Sequence, residues 1–224
     1  MFNLTEVNVT DEIFIALKSY LFTTQNQIKK SGNHHLWTIV NKYDIVMNNS
    51  YVSSSEVHGL GVFSNNDKDM ILGDIITIYP ADIVIETINK KTKTCNLLIS
   101  KDLFNLKFSN SEFTKENLIE LSSDFFYNYL VRLTDNINIS ATPELYDNPT
   151  YIGHMINDGT KIIPTSSEQI NEYNESSQLR ANCCFKYYNN LLFVIATKNI
   201  KKNEELFVTY GYDYWMSDRN KKME

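Results

Sequence analysis

Three short segments carry side chains that could do chemistry. Near the chain end, Tyr210, Tyr212, Tyr214 and Trp215 put four aromatic rings within six residues. Rings at that density either close a core by packing or wall a narrow space, and a phenol adds a hydroxyl that can donate or accept. Earlier, the apolar pair Met155–Ile156 ends abruptly in Asn157, Asp158 and Gly159. A short amide such as Asn157 both donates and accepts, so it can hold a polar ligand or tie down a turn. The third segment is Gly59, Leu60 and Gly61, between His58 and Val62. Two glycines one residue apart either make a tight turn or bare the backbone to a ligand that must come close.

Several chemistries are disfavoured by spacing. Ser64 stands where a dinucleotide fingerprint would need its third glycine, and no helical pattern follows. The sequence contains no phosphate-binding G-x-x-x-x-G-K-[S/T] loop and no G-x-S-x-G nucleophile elbow. The four histidines, His34, His35, His58 and His154, form no H-E-x-x-H. Cys183 and Cys184 are adjacent, unlike a metal knuckle. No metal is expected.

Composition bounds the scaffold that must position these residues. A chain of 224 residues with 42% hydrophobic and 12% aromatic residues can bury a proper core without disulfides. Three cysteines exclude a disulfide-rich secreted framework. The net charge of -6 argues against nucleic-acid binding through the overall field and suits a basic protein partner. Apolar runs fall short of the roughly 18 residues of a membrane span, so no membrane partner is expected. The setting expected is intracellular.

Periodicity predicts a β-rich, mixed fold. Residues 11–30 read as a helix, with Ile13, Ala16, Leu17, Tyr20 and Leu21 at three- and four-residue spacing. Residues 36–49 are strand-like, and 1–50 form an extension expected to pack on the main domain. His58–Phe63 reads as a glycine turn entering a strand, and the β-branched run from Ile75 as a strand closed by Pro80. The centre, about 83–130, alternates imperfectly and turns partly helical after 111. Residues 160–180, with Pro164 and four serines, read as a mobile surface loop insertion. A hairpin is expected about Asn189–Asn190, then a charged turn and a short strand before the aromatic cluster. The main domain is placed at 51–216, followed by a polar tail at 217–224.

Taken in order, these pieces resemble the SET domain of protein lysine methyltransferases. His58–Phe63 resembles the opening glycine motif, and Gly73–Tyr79 the strand pair after it. Ile139-Ser140-Ala141-Thr142 sits where the family often has I-D-A. His154–Gly159 resembles the central R-F-I-N-H-S segment, and Asn182–Cys183 its closing P-N-C. Ile200–Gly211 resembles I-x-x-G-E-E-L-x-x-D-Y-G. Against the family pattern, Asp158 replaces histidine, Gly159 serine, Asn203 the turn glycine and Thr209 an aspartate.

The resemblance implies small curved sheets, peripheral short helices and a chain end threaded in a pseudoknot-like way. It implies S-adenosylmethionine as methyl donor, lined by Gly59, Leu60, Gly61, Asn157, Asp158 and Tyr210. Tyr210 is implied as the catalytic tyrosine, with Tyr212, Tyr214 and Trp215 walling a lysine channel. The implied substrate is a lysine of a basic protein, a histone tail being favoured, without sequence-specific nucleic-acid binding. Location follows the substrate: the nucleus for chromatin, otherwise the cytoplasm. The competing readings are a catalytically silent SET-like binding module, motivated by Asp158 and Gly159, and an unrelated β-rich structural protein.

Overall fold

A computed structural model describes residues 46–65, 69–89, 94–100, 102–103, 106, 129–160, 164, 166–188, 191–212 and 214–215. The helix expected over 11–30, most of the 36–49 strand and the 217–224 tail lie outside the described residues. So does nearly all of the helical stretch expected after 111.

The described chain is a set of small sheets. β1 (Ser50–Ser54) and β2 (Leu60–Ser64) form an antiparallel ribbon around the glycine turn. β3 (Ile75–Tyr79) joins β9 (Cys183–Tyr188) and β10 (Leu191–Ala196) in a three-stranded sheet of order β3-β10-β9. The centre contributes β4 (Ile83–Asn89), β5 (Thr94–Ile99), β6 (Leu130–Arg132) and β7 (Ile137–Ser140), ordered β5-β4-β7-β6. β8 (Asn157–Asp158) and β11 (Phe207–Val208) make a parallel pair. The expected β-rich class and the hairpin about 189–190 hold, since Tyr188 pairs with Leu191. The pair of strands expected over Gly73–Tyr79 is one strand, because Gly73 sits at φ 94° and turns the chain into β3.

β10, Leu-Leu-Phe-Val-Ile-Ala, is buried along its whole length, as a continuous apolar run between two partners requires. Val62, Ile76, Val194, Ala196, Ile200, Leu206 and Val208 meet in one core beneath the small sheets. Burial of such side chains contributes roughly 1.5–3 kcal/mol each. The Thr77 hydroxyl ties β3 to the 3-10 turn Pro149–Tyr151, donating to the Thr150 carbonyl and accepting from the Ile152 N–H.

One expectation is corrected between 160 and 180. The stretch read as a loop insertion carries α1 (Ser167–Arg180). Ser166 caps it by accepting from the Gln169 N–H at 3.3 Å. Tyr173 and Ser177, four apart and so on one face, are both fully buried.

The chain end is threaded as the resemblance implied. β11 pairs with β8 on one side, and on the other the Phe207 carbonyl accepts from the Asn182 N–H at 3.1 Å. Residues 157–158 and 182 bracket the segment that carries α1. The Asn182 side chain prolongs the ladder, accepting from Phe207 N–H at 2.9 Å and donating to the Glu205 carbonyl at 2.9 Å. Asn203 has φ 60°, a left-handed conformation that asparagine tolerates well, which accounts for its place in the charged turn.

Candidate active site

β8 is two residues long, and successive side chains on a strand point to opposite faces. Asn157 faces the glycine turn. Its amide donates to the His58 carbonyl at 3.2 Å, the Leu60 carbonyl at 3.0 Å and Glu205 Oε1 at 3.3 Å. One side chain thereby fixes both ends of the His58–Leu60 loop, whose residues stay exposed. A Cβ at Gly61 would displace Glu205 Oε1 and come within 3.1 Å of the Asn157 amide, so glycine lets these side chains close on the loop. Gly59 differs: it sits at φ 41°, and a Cβ there would meet nothing within 4 Å. The backbone at Gly59 is open to approach.

Asp158 faces the other way and is completely buried. Its Oδ1 accepts from Ser177 Oγ at 2.7 Å and the Thr160 N–H at 3.2 Å. Its Oδ2 accepts from the Tyr173 hydroxyl and, at 3.0 Å, from the Tyr210 N–H. Four donors on one carboxylate make a buried charge tolerable. The Tyr173 hydroxyl also accepts from the Gly211 N–H at 2.9 Å. Burial, then the Asp158 charge, pushes the Tyr173 phenol well above its ordinary range.

Tyr210 leaves this anchorage with its ring among others. It meets Tyr214 edge-on at 4.7 Å and stacks with Trp215 at 6.0 Å between centroids. Its hydroxyl donates to the Ile156 carbonyl at 2.7 Å. Burial raises its pKa well above the ordinary phenol value, with Tyr214 and Asp158 adding to the shift. Burial therefore favours its neutral phenol form. Tyr129 adds to the same shift, and the Tyr79 hydroxyl donates to the Tyr129 carbonyl at 2.7 Å. His154 packs edge-on against both, at 6.2 and 5.9 Å.

A family model described as the SET domain matches residues 59–211, more than half of the chain. The chain belongs to the SET domain family. Its match takes in the glycine loop, β8, α1 and Tyr210 together. No curated protein matches the chain. Among solved structures it is similar to a crystal structure of a candidate histone methyltransferase of Plasmodium falciparum, at 18% identity and a TM-score of 0.34. That likeness covers 76% of this chain and 99% of the other. SET domains are, as a family, lysine methyltransferases.

Within this SET domain the residues singled out from sequence fall into three groups. Gly59, Leu60, Gly61 and Asn157 come together at one edge, and Tyr210, Tyr214 and Trp215 form one ring cluster. Trp215 reaches toward the first group, its ring 6.4 Å from that of His58. Tyr212 is half-buried and makes none of the cluster's ring contacts. Asp158, expected to line the cofactor, keeps its side-chain oxygens buried on α1 and the chain end, which leaves its backbone for any contact of that kind. Gly159 has the same cause, since a Cβ there would lie 2.8 Å from Arg180 Cβ on α1. Both departures from the family pattern thus answer to one helix.

Sequence reasoning missed Tyr79, Tyr129, Tyr173 and the ring contacts of His154. Tyr79 ends β3, and Tyr129, 50 residues further on, precedes β6. The pairings of β4 with β7 and of β7 with β6 bring those segments to one place.

Proposed function

We propose that the chain is an S-adenosylmethionine-dependent protein-lysine N-methyltransferase acting on a basic protein, with a histone tail as the favoured substrate. The observation that carries this reading is Tyr210, a neutral phenol fixed at its backbone by Asp158 and at its hydroxyl by Ile156, within an aromatic cluster. The net charge of -6 supports a basic partner.

The residues present fit the cofactor. Open space over Gly59 and exposed His58–Leu60 backbone, held by Asn157, give a rigid ledge that a ligand can approach closely. Gly59, Leu60 and Gly61, with Asn157 behind them, would hold it. S-adenosylmethionine, when bound, supplies a methyl carbon on a positively charged sulfur, which departs with the C–S electron pair as a neutral thioether.

The chain's own residues prepare the nucleophile. A lysine must present a neutral amine whose lone pair forms the new C–N bond, and its proton goes to water. Rings of Tyr129, Tyr210, Tyr214 and Trp215 offer a weakly polar wall that disfavours the ammonium. With its proton on the Ile156 carbonyl, the Tyr210 oxygen keeps lone pairs for the amine and for methyl C–H contacts. Alignment within ~3–3.5 Å is the main source of rate in such a displacement.

The silent-module reading drew on Asp158 and Gly159. Both have a structural reason in α1, which favours the enzyme reading. The test is transfer of labelled methyl from S-adenosylmethionine, offered core histones and, in parallel, a total protein extract. Label on a histone lysine, lost with Tyr210→Phe, is the expected result. Label only in the extract would discard the histone substrate. No label in either would overturn the enzyme reading.

A further inference from the structure

We propose that Tyr173 on α1 is a positioning residue for methyl transfer, holding the Tyr210–Gly211 backbone in register through its hydroxyl. This inference rests on the reading of Tyr210 as the catalytic tyrosine. The Tyr173 oxygen sits between two partners with different duties. It donates to Asp158 Oδ2, the same oxygen that accepts from the Tyr210 N–H at 3.0 Å, and it accepts from the Gly211 N–H at 2.9 Å. Two successive amides of the catalytic segment are therefore held by one phenol and one carboxylate. Gly211 has φ 88° and open space around it, so its own side neither blocks nor fixes the chain. The fixing has to come from outside, and α1 supplies it.

Ser177 provides the internal comparison. It lies one turn further along α1 and also donates to Asp158, at 2.7 Å, but on Oδ1. It accepts nothing from Tyr210 or Gly211. Its hydroxyl reaches Thr209 Oγ1 at 3.1 Å. Tyr173 and Ser177 therefore share the task of seating α1, whereas only Tyr173 touches an amide of the segment that aims the Tyr210 ring.

The experiment compares the full-length chain with Tyr173→Phe and Ser177→Ala. Methyl transfer is measured with S-adenosylmethionine and a lysine-rich histone peptide, and amide exchange at Tyr210 and Gly211 by NMR. Tyr173→Phe is expected to lower kcat roughly 10–100-fold, with both KM values within about twofold, since misplacement costs rate rather than binding. Exchange at both amides should quicken at least about tenfold. Ser177→Ala is expected to lower the melting temperature and leave kcat within about twofold. An unchanged kcat in Tyr173→Phe overturns the proposal, as does an equal fall in Ser177→Ala, which would mean general softening of α1. If Tyr173→Phe does not fold, 3-fluorotyrosine at 173 keeps the hydroxyl while weakening it as an acceptor, with the same readouts. A wild-type chain that transfers no methyl group to the peptide or to a total protein extract sinks the functional reading, whereas an active wild type with a normal Tyr173→Phe sinks this inference alone.

Discussion

Asn157 donates its amide to two backbone carbonyls, so its removal should act on the loop it holds. Asn157→Ala leaves the His58 and Leu60 carbonyls without that donor, a loss of about 1–3 kcal/mol. We expect the S-adenosylmethionine dissociation constant, measured by titration calorimetry, to rise at least about tenfold. An affinity equal to wild type would mean the loop holds its shape unaided. Gly159→Ala tests the opposite face of β8. The added Cβ lies 2.8 Å from Arg180 Cβ, so α1 must shift, at a cost of about 1–3 kcal/mol seen in thermal unfolding. At this scale the sequence was informative about residue type and silent about direction. Two glycines and an asparagine announced a close approach, and the pairing of Asn157 with the glycine loop is what they form. Asp158, its neighbour, looked equally exposed to the cofactor. Only the alternation of a two-residue strand sends it the other way, and so short a strand has no periodicity to read.

The elements divide the same way. β3, β10 and the hairpin were legible because buried strands demand β-branched and aromatic runs. α1 was not, because its buried face is made of Tyr173 and Ser177, and Leu179 is 79% exposed. Hydrophobic periodicity cannot report a helix held by hydroxyls on a carboxylate. The one local signal was Ser166 three residues before Gln169, a capping arrangement. Ser166→Ala should therefore cost about 1 kcal/mol and lower amide protection in the first turn of α1. Protection unchanged in that turn would show that tertiary contacts alone hold it. Arg180 adds a contact at the other end, its guanidinium 4.7 Å from the Phe207 ring centroid, so the helix grips β11 as well as Asp158.

For the molecule as a whole, the buried phenols set a pH limit. Tyr79, Tyr173 and Tyr210 all have folded values raised above the ordinary 10.0, chiefly by burial. Below that value both folded and unfolded chains keep these protons, and the stability is complete. As pH climbs past it, the unfolded chain releases protons that the folded one retains, so stability falls until the folded values are passed. The melting temperature should hold to about pH 9 and drop beyond about pH 10, with the last tyrosinate absorbance appearing together with loss of ellipticity. Complete phenol titration near 10 in a chain still folded by circular dichroism would contradict the burial described.

The position of β11 has a kinetic side. Phe207–Val208 lies between β8 and Asn182, so both neighbours must be in place before the strand can be accepted. The Asp158–Tyr210 bond closes across 52 residues of chain, a slow event compared with hairpin formation. Refolding from denaturant should then proceed in two stages, with β9–β10 protected early and methyl-transfer competence recovered last. Between those stages the chain would be native-like in its sheets and empty-handed in its chemistry, with Leu206, Phe207 and Val208 in water and open to self-association.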